Sequence, residues 1–267
     1  MDNVEFAVSA DGTSIAYERA GDTGPVAVLV EPPLHHRAMS AYAGLVPLLT
    51  DALTVVTYDR RGRGDSGDAD TYHPDRESED LDAVIDAVGG SAGVYGYSAG
   101  ALLALRAASM SRRIAGLVVL EPPLHDDSNP RPDPLTIELA ELLARGDRAT
   151  TVRHFHEAIG VPHEFITEMA ASPSWQSMVD VAHTAVYDCR ISDAVTSNLL
   201  TDVTAPTLVL DSAGSTDNLT GWAADVAALL PNATHRSLPG EWHTVADNIL
   251  APIIVDHITT TSETLRQ

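Results

Sequence analysis

Lysine is absent from this 267-residue chain, whose 16 basic side chains are all arginine. Without a lysine amine there is no Schiff-base nucleophile and no Walker-type phosphate ligand, which excludes pyridoxal-phosphate enzymes and P-loop NTPases. Cysteine is almost absent too. Cys189 alone closes no intrachain disulfide and builds no zinc site, so it is expected to be a small buried apolar residue. Positive charge is scarce: 38 acidic against 16 basic residues leave a formal net charge of −22. Such a chain repels phosphate backbones and anionic bilayers, so neither nucleic acid nor membrane is an expected partner. No apolar run approaches the roughly 18 residues a membrane span requires. The opening MDNVEFAVSADG is acidic where a signal peptide carries positive charge. The expectation is a soluble cytoplasmic protein, monomeric or homodimeric, whose partner is a small-molecule substrate.

What is present is apolar and regularly spaced. With 44% hydrophobic and 5% aromatic residues, the chain can bury one large core. Short β-branched runs predict strands at Ser14–Arg19, Val26–Val30, Thr54–Tyr58, Gly93–Gly96, Gly116–Leu120, Thr207–Leu210 and His235–Leu238. Helical patterns fall between them, at Ser40–Leu49, Arg76–Val88, Ala99–Met110, Gly221–Leu230 and Ala246–Ile258. This alternation implies an α/β fold, a mostly parallel central sheet with helices on both faces. From about Pro122 to Pro206 the alternation stops, and only helical patterns appear, at Ile137–Arg145, Thr150–Ala158 and Trp175–Tyr187. An insertion of this length reads as a lid that keeps water from a site. One pentapeptide occurs twice, Glu31-Pro-Pro-Leu-His35 and Glu121-Pro-Pro-Leu-His125, each time directly after a strand. Strand C-termini are where open α/β sheets bind ligands.

Gly96-Tyr97-Ser98-Ala99-Gly100 is a G-x-S-x-G placed between a strand and a helix. Its glycines allow a sharp turn that exposes the Ser98 hydroxyl at the sheet edge and aims the Ala99 N–H at an oxyanion formed there. Together with Tyr58-Asp-Arg-Arg-Gly-Arg-Gly-Asp-Ser-Gly67, the helical insertion and a late histidine, this resembles the α/β-hydrolase superfamily over essentially the whole chain. The arginine-rich run itself reads as a tight turn packed beside the sheet. The resemblance implies a core domain of residues 1–121 and 206–267, with a helical cap, 122–205, inserted after the sixth strand.

The same resemblance assigns the general base to His243, in the loop after the last strand. The acid is less direct. Its usual place, shortly after the seventh strand, is occupied here by Ser215. Some relatives, haloalkane dehalogenases among them, carry a Glu at the end of the sixth strand instead, and Glu121 matches that position. Asp211 and Asp217 are the alternates. The other departure is at the second oxyanion donor, where Pro33 has no N–H to offer. Leu34, His35, His36 and Tyr97 are the candidate substitutes, and Glu31 sets a further carboxyl nearby.

Three functions follow from these residues. The first is a serine hydrolase in which Ser98 attacks an ester, thioester or lactone of a medium-sized hydrophobic molecule, His243 relays the proton and Glu121 orients it. The second is a lyase, isomerase or cyclase on the same scaffold, moving protons through Glu31, His35 or His243. The third is a receptor that has lost catalysis. Phe155, Ile159, Phe165, Met169, Trp175 and Met178 are the apolar residues available to line the lid. No metal cluster and no dinucleotide fingerprint is apparent, so neither metal nor cofactor is expected.

Overall fold

Runs of apolar residues that are too short for helices become the strands of one eight-stranded sheet. The computed structural model describes residues 4–128, 131–216 and 218–264. The first half of the chain lays down β1 (Glu5–Val8), β2 (Ser14–Ala20), β3 (Val26–Val30), α1 (Val46–Leu49), β4 (Thr54–Tyr58), α2 (Pro74–Ala87), β5 (Ala92–Tyr97), α3 (Ala99–Met110) and β6 (Ile114–Leu120). Six helices then intervene: α4 (Pro134–Ala144), α5 (Arg148–Ala158), α6 (His163–Ala171), α7 (Trp175–Asp180), α8 (Thr184–Ala194) and α9 (Ser197–Leu200). The chain closes with β7 (Thr207–Ser212), α10 (Asn218–Leu229), β8 (Ala233–Leu238) and α11 (Asp247–Thr264). The sheet order is β1-β2-β4-β3-β5-β6-β7-β8, antiparallel at the first two pairings and parallel from β4 onward. Among the described residues, no helix is long and apolar enough to cross a membrane.

The two-residue period of the strands divides the core in two. Val28, Val30, Leu117 and Val119 face a layer built from α2, α3 and α10, whereas Ala27, Leu29, Val118 and Leu120 face α1 and α11. Every residue of β6 is buried, as expected of a central parallel strand covered on both sides. Some expected elements differ. The helix anticipated over 40–49 is only α1, because Pro47 marks its first turn and Tyr42 is pulled aside by a 2.7 Å hydrogen bond to the Val30 carbonyl. The helix anticipated over 175–187 is two, α7 and the start of α8, and β1, α6 and α9 had no counterpart in the expected elements.

The helices between β6 and β7 have a core of their own, centred on Leu139, Val152, Phe155, Met178 and Ala185, into which Leu34 from the loop after β3 also inserts. Charge ties this unit to the sheet. Arg60 and Arg63, fully buried in the loop after β4, both grip Asp188 of α8, at 2.6 and 2.7 Å. Arg60 is also paired bidentately with Glu77 at 2.7 and 3.1 Å, so two cations meet two carboxylates without water. The same guanidinium groups donate to the carbonyls of Glu31, Pro32 and His35, fastening the loop after β3 to the cluster. The arginine-rich run is therefore an internal clasp.

Removing one partner of a buried ion pair leaves an uncompensated charge, which costs about 3–5 kcal/mol. Asp188→Ala leaves Arg63 without a carboxylate and Arg60 with Glu77 alone, and urea unfolding should show a loss of that order, with α8 the first segment to lose protection in amide exchange.

Candidate active site

Ser98 sits where β5 ends and α3 begins, with φ 56° and ψ −128°. Its N–H donates to the Leu120 carbonyl at 3.0 Å, and its carbonyl accepts from Ala101 at 2.9 Å, so both neighbouring elements fix the bend. The flanking glycines are required by space. A Cβ on Gly96 would lie 2.6 Å from the Gly100 carbonyl oxygen, and one on Gly100 would lie 2.5 Å from that of Val30. Ala99 is the first residue of α3, and an N–H in the first helical turn has no intrahelical acceptor.

Glu121 stands one residue past β6, on the strand next to the elbow, and is fully buried. Its Oε2 makes a close contact with His243 Nδ1, while its Oε1 accepts from the Ser215 hydroxyl at 2.6 Å and the Ser212 N–H at 2.9 Å. Burial raises the carboxyl pKa, but the hydrogen bonds from His243, Ser215 and Ser212 outweigh it and hold the group below its ordinary value. An ionised Glu121 accepts a hydrogen bond from Nδ1–H, which directs the Nε2 lone pair of the imidazole to act as the base. The loop bearing His243 is secured from two further sides. Its N–H donates to Ser215 Oγ at 2.9 Å, and its carbonyl accepts the Tyr97 hydroxyl at 2.6 Å.

Four non-glycine residues among those described have positive φ: Leu34 at 61°, Ser98 at 56°, Glu121 at 47° and His243 at 52°. Left-handed backbone at such residues is strained and concentrates where geometry serves function. Ser98 and His243 both line a cavity of about 720 Å³, together with Pro32, Pro33 and His35 from the loop after β3, and Phe155, His156 and Ile159 from α5 and its end. Among the described residues, no group of three or more His, Cys, Asp or Glu is placed to hold a metal ion.

The remaining sequence-predicted residues are distributed differently. Asp211 is engaged on β8, with His235 at 2.6 Å and Ser237, and does not reach His243. Asp217 lies outside the described residues. Glu31 is not at the cavity, because its buried carboxyl turns to the Ser40 hydroxyl and the Ala41 N–H at 3.1 Å. Burial pushes its pKa up to about 7 against those two hydrogen bonds. Leu34 packs its side chain into the inter-helical core. Tyr97 has committed its hydroxyl to the His243 carbonyl. His35 donates Nδ1–H to the Pro33 carbonyl at 2.8 Å, and burial pushes its pKa down, so the ring is neutral with a bare Nε2. Of the apolar residues expected to line a lid, Phe155 and Ile159 line the cavity, Phe165 is exposed, and Met169, Trp175 and Met178 pack among the helices. Ser215 and Ser212, which hold Glu121, had no assigned role. The one signal for Ser215 was its occupancy of the position where relatives place an acid.

A family model described as the alpha/beta hydrolase family matches residues 14–248. No curated protein matches the chain. Among solved structures, an alpha/beta hydrolase from Sphaerobacter thermophilus is 41% identical, with a TM-score of 0.85, over 95% of this chain and 99% of that one. An enol-lactonase from Burkholderia xenovorans shares 16% identity at a TM-score of 0.72, covering 98% of this chain and 100% of its own. A thermophilic esterase from Thermogutta terrifontis shares 21% at 0.70, covering 99% and 97%. At those identities the last two show a common fold.

Ser215→Ala deprives a buried carboxylate of one donor and the His243 N–H of its acceptor, and a loss of about 1–3 kcal/mol is expected in denaturant unfolding. Glu31 gives a pH signature of the opposite kind. Its folded-state pKa, about 7, lies above its ordinary 4.5, so its contribution to stability is full below pH 4.5 and is lost as the pH rises through about 7. Glu31→Gln lacks that loss. Measured from pH 5 to 8, the stability of the variant relative to the parent should climb by up to about 3 kcal/mol and level off above pH 7.

Proposed function

The chain belongs to the alpha/beta hydrolase family, and from that premise we propose that it is a serine hydrolase acting on an ester, thioester or lactone of a medium-sized small molecule. The observation that carries this reading is the buried Glu121 carboxylate in contact with Nδ1 of His243, whose ring shares a cavity wall with Ser98. A helical cap, the segment 122–205, closes the cavity from above, and the placement of Phe155, His156 and Ile159 on its wall supports that role.

In the proposed reaction His243 Nε2 takes the Ser98 proton as Oγ attacks the carbonyl carbon. The charge that develops on the carbonyl oxygen is met by the Ala99 N–H and by the first N–H after the two prolines, that of Leu34. Glu121 stabilises the imidazolium and stays ionised throughout. His243 then returns the proton to the departing alkoxide or thiolate, which leaves as alcohol or thiol, and the acyl group remains on Ser98. A water deprotonated by the same nitrogen attacks this ester, releasing the carboxylic acid and restoring the hydroxyl. Serine at the elbow favours this acyl route over the alkyl-enzyme route of relatives that use Asp there. A non-hydrolytic reaction run by Glu31 loses support from the turning of that carboxyl toward Ser40 and Ala41, away from the cavity.

The purified protein is expected to cleave short p-nitrophenyl esters and to be labelled by a fluorophosphonate at Ser98, read by peptide mass spectrometry. Ser98→Ala should lower kcat/KM by at least about 10³, and Glu121→Gln, which favours the wrong His243 tautomer, by about 10²–10⁴. Absence of both cleavage and labelling overturns the proposal.

A further inference from the structure

The wall of the cavity accepts hydrogen bonds in places the hydrolytic steps do not use. His35 and His156 both line it. Each ring gives its Nδ1 to a backbone carbonyl at 2.8 Å, His35 to Pro33 and His156 to Val152. A carbonyl only accepts, so both protons sit on Nδ1, and in a neutral ring Nε2 is left as a lone pair. Burial lowers the pKa of both imidazoles, and a charge on His156 would lower that of His35 further. On α8 Ser192 also lines the cavity, but its hydroxyl oxygen is buried out of the cavity's reach. It lies one helical turn from Asp188, which Arg63 links to the His35 carbonyl. No arginine is among the described residues of the lining, and its acidic members are Asp133 and Asp188, the latter already bound by two guanidinium groups.

We infer that His35 and His156 form a subsite that reads a hydroxyl group on the substrate, so that the enzyme selects neutral hydroxylated esters or lactones and rejects those bearing a second carboxylate. A hydroxyl matches this wall because it donates a hydrogen bond to an imidazole lone pair. A carboxylate has no proton to donate to the imidazoles and finds no guanidinium to pair with. The inference rests on the cavity being the substrate site of the proposed hydrolase, and it adds His35 and His156 as specificity-determining residues. His156, one of two histidines on α5, gave no sign of this in the sequence.

The test separates recognition from chemistry by using the Ser98→Ala protein. Its affinities for ethyl hexanoate, ethyl 3-hydroxyhexanoate, ethyl 6-hydroxyhexanoate and monoethyl adipate are measured by titration calorimetry or ligand-observed NMR. At least one hydroxylated ester should bind about tenfold more tightly than ethyl hexanoate, and monoethyl adipate should bind more weakly than all of them. Adding His156→Leu should erase the hydroxyl preference, while His156→Gln, which keeps a side-chain acceptor, should retain part of it. Circular dichroism confirms that each variant is folded. Equal affinities across the series, tightest binding of monoethyl adipate, or a preference that survives His156→Leu overturns the inference. Loss of ester cleavage in the parent with the hydroxyl preference intact removes the serine mechanism and leaves this subsite standing.

Discussion

The site is organised around an ionised carboxylate that water does not reach. A buried charge is tolerated only where hydrogen bonds replace its hydration, and Glu121 has three donors, from His243, Ser215 and Ser212. Those donors come from the last residue of β7, the loop after it and the loop after β8, so one charge brings together the C-terminal ends of three neighbouring strands. Tyr97, one residue before the elbow, completes the arrangement by holding the His243 carbonyl from the nucleophile's side. The backbone bears the cost. Ser98, Glu121 and His243 all adopt left-handed conformations, which for non-glycine residues runs to about 1–3 kcal/mol each, offset by the surrounding hydrogen bonds and packing.

Much of this was legible in the residues. The two-residue period of the strands, the insertion between Leu120 and Thr207 and the glycines around Ser98 are local signals, and local signals survive in sequence. The pairing of Glu121 with His243 was reachable because the usual acid position holds serine and a glutamate follows β6. What escaped is non-local or conformational. The two copies of Glu-Pro-Pro-Leu-His are identical as text, yet Glu121 turns to His243 while Glu31 turns to Ser40. The difference lies in φ, since Glu121 is left-handed and in the first copy it is Leu34 that is. Periodicity carries no information on such a choice. Likewise, nothing in the run around Arg60 shows that its partner is Asp188, more than a hundred residues away, or that His156 lines the cavity.

The clasp of Arg60 and Arg63 on Asp188 relates the fold to the site. One face of the cluster holds α8, whose residues Cys189 and Ser192 line the cavity, and the other holds the carbonyls of the loop after β3. The spacing between the inserted helices and the floor of the cavity is therefore set by guanidinium groups of fixed geometry. Apolar packing alone would leave that spacing more adaptable.

The inward placement of these arginines also divides the molecule's charges by their exposure to dissolved ions. Arg60, Arg61 and Arg63 are buried among carboxylates, while most of the chain's excess of aspartates and glutamates stays on the exterior. A Debye length of about 10 Å in 0.1 M salt shortens further in brine and quiets the mutual repulsion of that acidic skin, while the desolvated pairs beneath are screened far less. Rising ionic strength thus relieves the surface without loosening the interior, a charge layout suited to concentrated electrolyte.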